Sequence, residues 1–198
     1  MLAQKPKYNM NFTVGSLLIY PSIEFISLYL KHQDWVTARK EALELNITQS
    51  DKSSSATRIL GEIRSRLVLL SDAQLEFFNT ANLQDKLYLL ILALSKKYRL
   101  IYDFLIYLHQ AYREEKIINF TKRNFDVFFN DKTIYYPELI SLEAARLLKF
   151  RRYTFKSLQE ARILDENFDV LPVSFSKDLI KIIIDSDKRD LLIFPRIN

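Results

Sequence analysis

Two glycines in 198 residues constrain this chain more than any other feature. Hairpins, bulges and most left-handed turns draw on glycine, and only five prolines accompany the two glycines. A turn-rich β architecture and a disordered tail are therefore disfavoured, and helices become the default. The apolar spacing agrees. Ser16 to His32 carries apolar residues at helical intervals, with Pro21 in its first turn. Asp34 reads as the N-cap of a helix over Trp35 to Leu45, Ser53 or Ser54 as the cap of the next, and Ser71 with Gln74 as a capping box for a short helix to Phe78. Asn82 caps a strongly apolar helix reaching Lys97, Leu100 to Glu115 is another, and Thr121 to Asn130 opens the second half. A turn follows from Asp131 to Pro137, then a long helical pattern over about 138–164, then a helix over Ser176 to Asp185. Asp169 to Val173 and Leu191 to Phe194 read as short strands. The expectation is an all-α protein of two packed helical subdomains, 1–118 and 119–198, divided between Lys116 and Thr121. It is helix-turn-helix-like, with a short β element that would make the C-terminal subdomain winged-helix-like.

Composition removes several classes of function. No cysteine is present, which excludes disulfides and thiolate chemistry and fits a reducing cytoplasm, and His32 and His109 are too few for a zinc site. His109 fits a helix interface better than acid–base work. No glycine-rich phosphate loop, nucleophile elbow or spaced metal-ligand pattern occurs, so neither an enzyme nor a cofactor is expected. The longest apolar run, Leu87 to Leu94, has eight residues, far short of the roughly 20 that span a bilayer. No membrane segment or signal peptide is expected, and the location is read as cytoplasmic.

The net charge of +5 is unevenly placed. Between Arg146 and Arg162 six cations face one acid, Glu160, a surplus equal to that of the whole chain. If Ser141 to Leu164 is helical, Ala145, Lys149, Arg152 and Lys156 form one stripe, with Arg146 and Tyr153 on its edge. Ala144, Leu147, Leu148, Phe155 and Leu158 would then be the buried side, with Arg151 snorkelling among them. A second basic segment runs from Lys52 to Arg66. On its helix Ala56, Ile59, Leu60, Ile63, Leu67 and Leu70 form the core arc, and Ser54, Arg58, Gly61 and Ser65 lie opposite. A glycine inside a helix costs roughly 1 kcal/mol against alanine, so Gly61 is either drift on a solvated face or a device for close approach. Lys52 and the helix N-terminus beside it suit a phosphate. A stripe without interleaved acids suits an anionic partner, although such stripes are also found as plain solvated faces.

The segments YNMNFTVGSLLIYPS (Tyr8 to Ser22), SSSATRILGEIRSRLVLLS, SLEAARLLKFRRYTFKSLQEARILD (Ser141 to Asp165) and LLIFP (Leu191 to Pro195) resemble the BrxA family of bacteriophage-exclusion (BREX) defence systems. The middle, Asn79 to Tyr136, is least distinctive. One departure is Ala161 to Ile163, where the family is associated with an alanine–glycine turn. The resemblance implies a mostly helical, non-enzymatic accessory protein with a NusB-like fold, associated with DNA binding and working beside other BREX components. Residues and resemblance converge on a double-stranded DNA-binding protein whose phosphate contacts come from Lys52, Ser54, Arg58, Gly61 and Ser65 on one helix and Arg146, Lys149, Arg152, Tyr153 and Lys156 on another. RNA binding in the manner of NusB, or docking of an acidic defence partner, would use the same charges.

Overall fold

Side-chain oxygens placed just ahead of apolar runs start four of the helices in the computed structural model, which describes residues 7–10, 15–114 and 121–195. Helix α1 spans Ile19–His32, and α2, Trp35–Glu44, begins where the Asp34 carboxylate accepts the Thr37 N–H at 2.6 Å. Helix α3 is Ser53–Leu67, and α4, Asp72–Phe77, opens with the Ser71–Gln74 capping box. Asn82 accepts the Asp85 N–H at 2.9 Å to start α5, Leu83–Lys97. Tyr98 alone separates α5 from α6, Arg99–Arg113. Helices α7, Lys122–Tyr135, and α8, Ala144–Glu160, flank a 3-10 turn at Pro137–Leu139. Ser176 then caps α9, Lys177–Asp187, and a second 3-10 turn covers Lys188–Ile193. The fold is all-α.

Several boundaries differ from expectation. Lys52, not a serine, occupies the cap position of α3, and no side chain caps that end. Helix α7 continues through the expected turn as far as Tyr135. Helix α8 is shorter than the sequence pattern, starting at Ala144 and ending at Glu160. The described residues contain no strand. Around the first expected strand there are isolated bridge residues, Val170 pairing antiparallel with Leu164 and Val173 forming another, and Leu191–Ile193 belongs to the 3-10 turn. With no neighbouring strand to pair with, that apolar run is fixed by burial instead. Phe194 meets Tyr88 and Phe175 edge-on, and its carbonyl accepts from His109 Nδ1 at 2.8 Å. His109 thus lines an interface. The expected division between Lys116 and Thr121 lies outside the described residues except for Thr121 itself.

Helix α5 is the centre. Leu87 to Leu94 are all buried, which explains the missing polar face, and the helix packs against α1, α3, α6 and α8. Buried apolar side chains from Tyr8 to Phe194 form one continuous cluster around it. Against this core lies a charged group. The Glu62 carboxylate accepts from Arg66 Nε one turn later at 2.9 Å, from Lys97 Nζ at 2.7 Å and from the Tyr98 hydroxyl at 2.8 Å. Arg66 also donates to the Ser16 carbonyl at 2.7 Å, and the adjacent Leu17 N–H donates to Glu160 Oε2 at 2.7 Å. Residues 15–18 therefore run from the buried charges of α3 to the end of α8.

That end of α8 is a complete Schellman motif. The Ile163 N–H reaches the Leu158 carbonyl and the Arg162 N–H reaches Gln159, both at 2.9 Å. The residue required to be left-handed is Arg162, at φ 55°. Only the site, not the residue, is that of a glycine turn.

Two outcomes follow for stability. Burial alone would raise the Glu62 carboxyl, and Arg66, Lys97 and Tyr98 together outweigh it and hold it below its ordinary 4.5. A carboxyl depressed in the folded state contributes stability above its unfolded value, and that contribution is lost as pH falls through the folded one. Urea midpoints should therefore drop as pH falls below 4.5. Glu62→Gln should flatten that dependence and cost about 3–5 kcal/mol at neutral pH, because buried cations lose their counter-charge. Arg162→Gly should raise stability by about 1 kcal/mol in the same titration, by relieving the left-handed penalty.

Candidate nucleic-acid interface

Helix α8 sets its register by burying Phe150, Thr154, Phe155, Ser157 and Leu158. Arg146, Lys149, Arg152 and Lys156 are consequently exposed along one outer face, as the stripe required. Tyr153 lies half-buried at its edge. Its ring sits 5.8 Å from the Lys149 ammonium and 5.1 Å from the Arg152 guanidinium, distances at which a cation is drawn to a ring face. The ring is seated on Gly15, where any Cβ would overlap it. This glycine, and not Gly61, is the one whose missing side chain permits close packing.

The expected buried side of α8 is only partly correct. Phe155 and Leu158 are buried, but Ala144 is exposed, Leu147 is half-buried and Leu148 is 54% exposed. The 3-10 turn ahead of the helix replaces its expected first turns, which leaves Ala144 and Leu148 exposed there. Arg151 does not merely snorkel. Its Nη1 lies 2.6 and 2.7 Å from the two carboxylate oxygens of Asp126 on α7, so its charge is matched within the fold. Lys156 stands 3.8 Å from Glu160, whose other oxygen is held by Leu17. Among the described residues, Arg146, Lys149 and Arg152 have no carboxylate within ion-pair distance.

Beside the stripe is a cavity of about 710 Å³. Leu148, Phe155 and Phe168 line it together with Lys122 from α7 and the α8 cations, and none of the lining residues among the described ones is acidic. Helical spacing does not single out Lys122, Leu148 or Phe168 as site residues. Lys122 lies beyond the helix that carries the pattern, Leu148 falls on the side that spacing assigns inward, and Phe168 sits in a loop without periodicity.

On α3, Lys52, Ser54, Arg58 and Gly61 are exposed, and a Cβ at Gly61 would meet nothing within 4 Å. Ser65 is turned partly inward. Its hydroxyl donates to the Glu62 carbonyl at 2.7 Å and accepts from Lys97. Arg66, which contributes to the basicity of this segment, is buried on Glu62. Helices α3 and α8 both pack on α5 but keep their cations on separate helices. The described residues hold no His/Asp/Glu group that could bind a metal, and no helix long and apolar enough to cross a membrane.

A crystal structure of an uncharacterised protein from Magnetospirillum magneticum shares the fold, with a TM-score of 0.77 over 96% of this chain and 99% of that one at 16% identity. No curated protein matches the sequence. The BrxA family model matches residues 6–187, nearly the whole chain and every element that builds the stripe, and the chain therefore belongs to the BrxA family.

Proposed function

We propose that this chain is a non-enzymatic, cytoplasmic accessory protein of a BREX phage-defence system that binds double-stranded DNA through its phosphates. Family membership supports the BREX association. The observation that carries the DNA reading is the outer face of α8, where Arg146, Lys149 and Arg152 stand exposed with no carboxylate partner among the described residues while the neighbouring Arg151 is neutralised. Like charges on one helix face repel, and a polyanion removes that cost. A row of phosphates fits the geometry, since exposed cations on a straight helix track a backbone without reading bases. The exposed Lys52 and Arg58, with the uncapped N–H groups of α3, supply a second contact. Double-stranded RNA offers the same charges, so the test includes it as a competitor.

Replacing Lys149, Arg152 and Lys156 together by glutamine should weaken binding to every duplex alike. It should also reduce the slope of log K against log salt by up to about 0.9 for each phosphate that is no longer neutralised. All three are exposed, so thermal unfolding should be unchanged. An electrophoretic shift series at several salt concentrations measures both, and an unaltered slope would remove α8 from the interface. Gly61→Gln checks α3 separately. The open space around Gly61 lets the variant fold, and reduced affinity at unchanged thermal stability is expected if this face lies against DNA.

A further inference from the structure

We propose that the cavity beside α8 accepts one unstacked nucleotide of the bound DNA, so that the protein favours duplexes in which a base is easily extruded. This rests on the DNA-binding reading and deepens it. The volume of about 710 Å³ lies in the range of ligand sites, about 300–1,000 Å³. Its lining has the two parts a nucleotide has. Leu148, Phe155 and Phe168 give it apolar and aromatic surface, while Lys122, Lys149 and Arg152 supply positive charge. Among the described residues no carboxylate lines it. A base seeks a π surface and its phosphates seek cations, and aromatic platforms in positive grooves serve single-stranded nucleotides in this way.

The aromatic member is fixed in place. Phe168 adopts φ 67°, an uncommon left-handed conformation for a bulky residue. Asp165 imposes it, its side chain accepting the N–H groups of Asn167 and Asp169 at 2.8 Å and its carbonyl that of Phe168 at 3.2 Å. The ring meets Phe155 edge-on at 5.2 Å and lies 5.7 Å from the Lys122 ammonium. Leu148, 54% exposed among cations, gains from any flat apolar cover. An extruded base provides that cover while its flanking phosphates continue along the stripe.

The experiment uses two duplexes of one sequence, each with a single 2-aminopurine, paired in one and mispaired in the other. Its emission rises when the base leaves the stack. Unstacking costs least at a mispair, so the mispaired duplex should bind about tenfold tighter than the paired one, with a rise in emission on binding. Phe168→Ala should abolish both the preference and the rise. Because Phe168 is partly buried, Leu148→Ser, at a half-exposed position, provides a second variant with the same expected result. Binding of both duplexes with equal affinity and no change in emission overturns this assignment, leaves the phosphate-binding reading intact and points to another occupant such as an acidic peptide. Failure to bind either duplex at low salt overturns both.

Discussion

The packing of α3 on its neighbours depends on charges that are not on the surface. Glu62 sits against the core with Arg66, Lys97 and the Tyr98 hydroxyl on its two oxygens. Taking these groups out of water is expensive, and their mutual attraction offsets that only when each lone pair and proton finds a partner. Tyr98, fully buried, shows how completely the region is closed, and burial together with the Glu62 carboxylate pushes its hydroxyl pKa upward. The arrangement joins α3 to the α5–α6 junction. Through the Ser16 carbonyl it also reaches the segment on which α8 rests. The ionic cluster of α3 is thus connected, through residues 16 and 17, to the end of α8.

Much of the fold is legible in the sequence because helix starts are local events. Asp34, Ser71 and Asn82 each need only a backbone N–H three residues on, and each acts as its spacing implies. Features that depend on distant parts of the chain are not legible. An apolar run such as Leu191 to Phe194 suits a strand or a buried turn equally, and contact with His109, Tyr88 and Phe175 decides it. Glu62 and Arg66 flank the apolar arc of α3, where periodicity assigns charges to solvent. Distant groups bring them in: Lys97 and Tyr98 meet Glu62, and the Ser16 carbonyl meets Arg66.

The candidate site shows the same division. Helical spacing alone puts Lys149, Arg152 and Lys156 on one face, and they share it. It cannot show that Asp126 neutralises Arg151, since that pair joins α7 to α8. Nor can it rank the glycines. Gly61 draws notice by interrupting a helix, yet open space surrounds it. Gly15, in a stretch without pattern, is the one in contact with Tyr153. Spacing reports one element's faces, and the cavity with Lys122 and Phe168 arises from three segments that no single period describes.

The tie between Leu17 and Glu160 closes across 143 residues of sequence. Loop-closure entropy must be met before so distant a contact gives anything back, and chains rich in such contacts fold slowly. Helices α5 and α6, adjacent in sequence and packed together, carry no such penalty and can assemble early. During synthesis the short segment that seats Tyr153 emerges long before α8 and must wait for it. Residues 15–18 are therefore among the last to find their place.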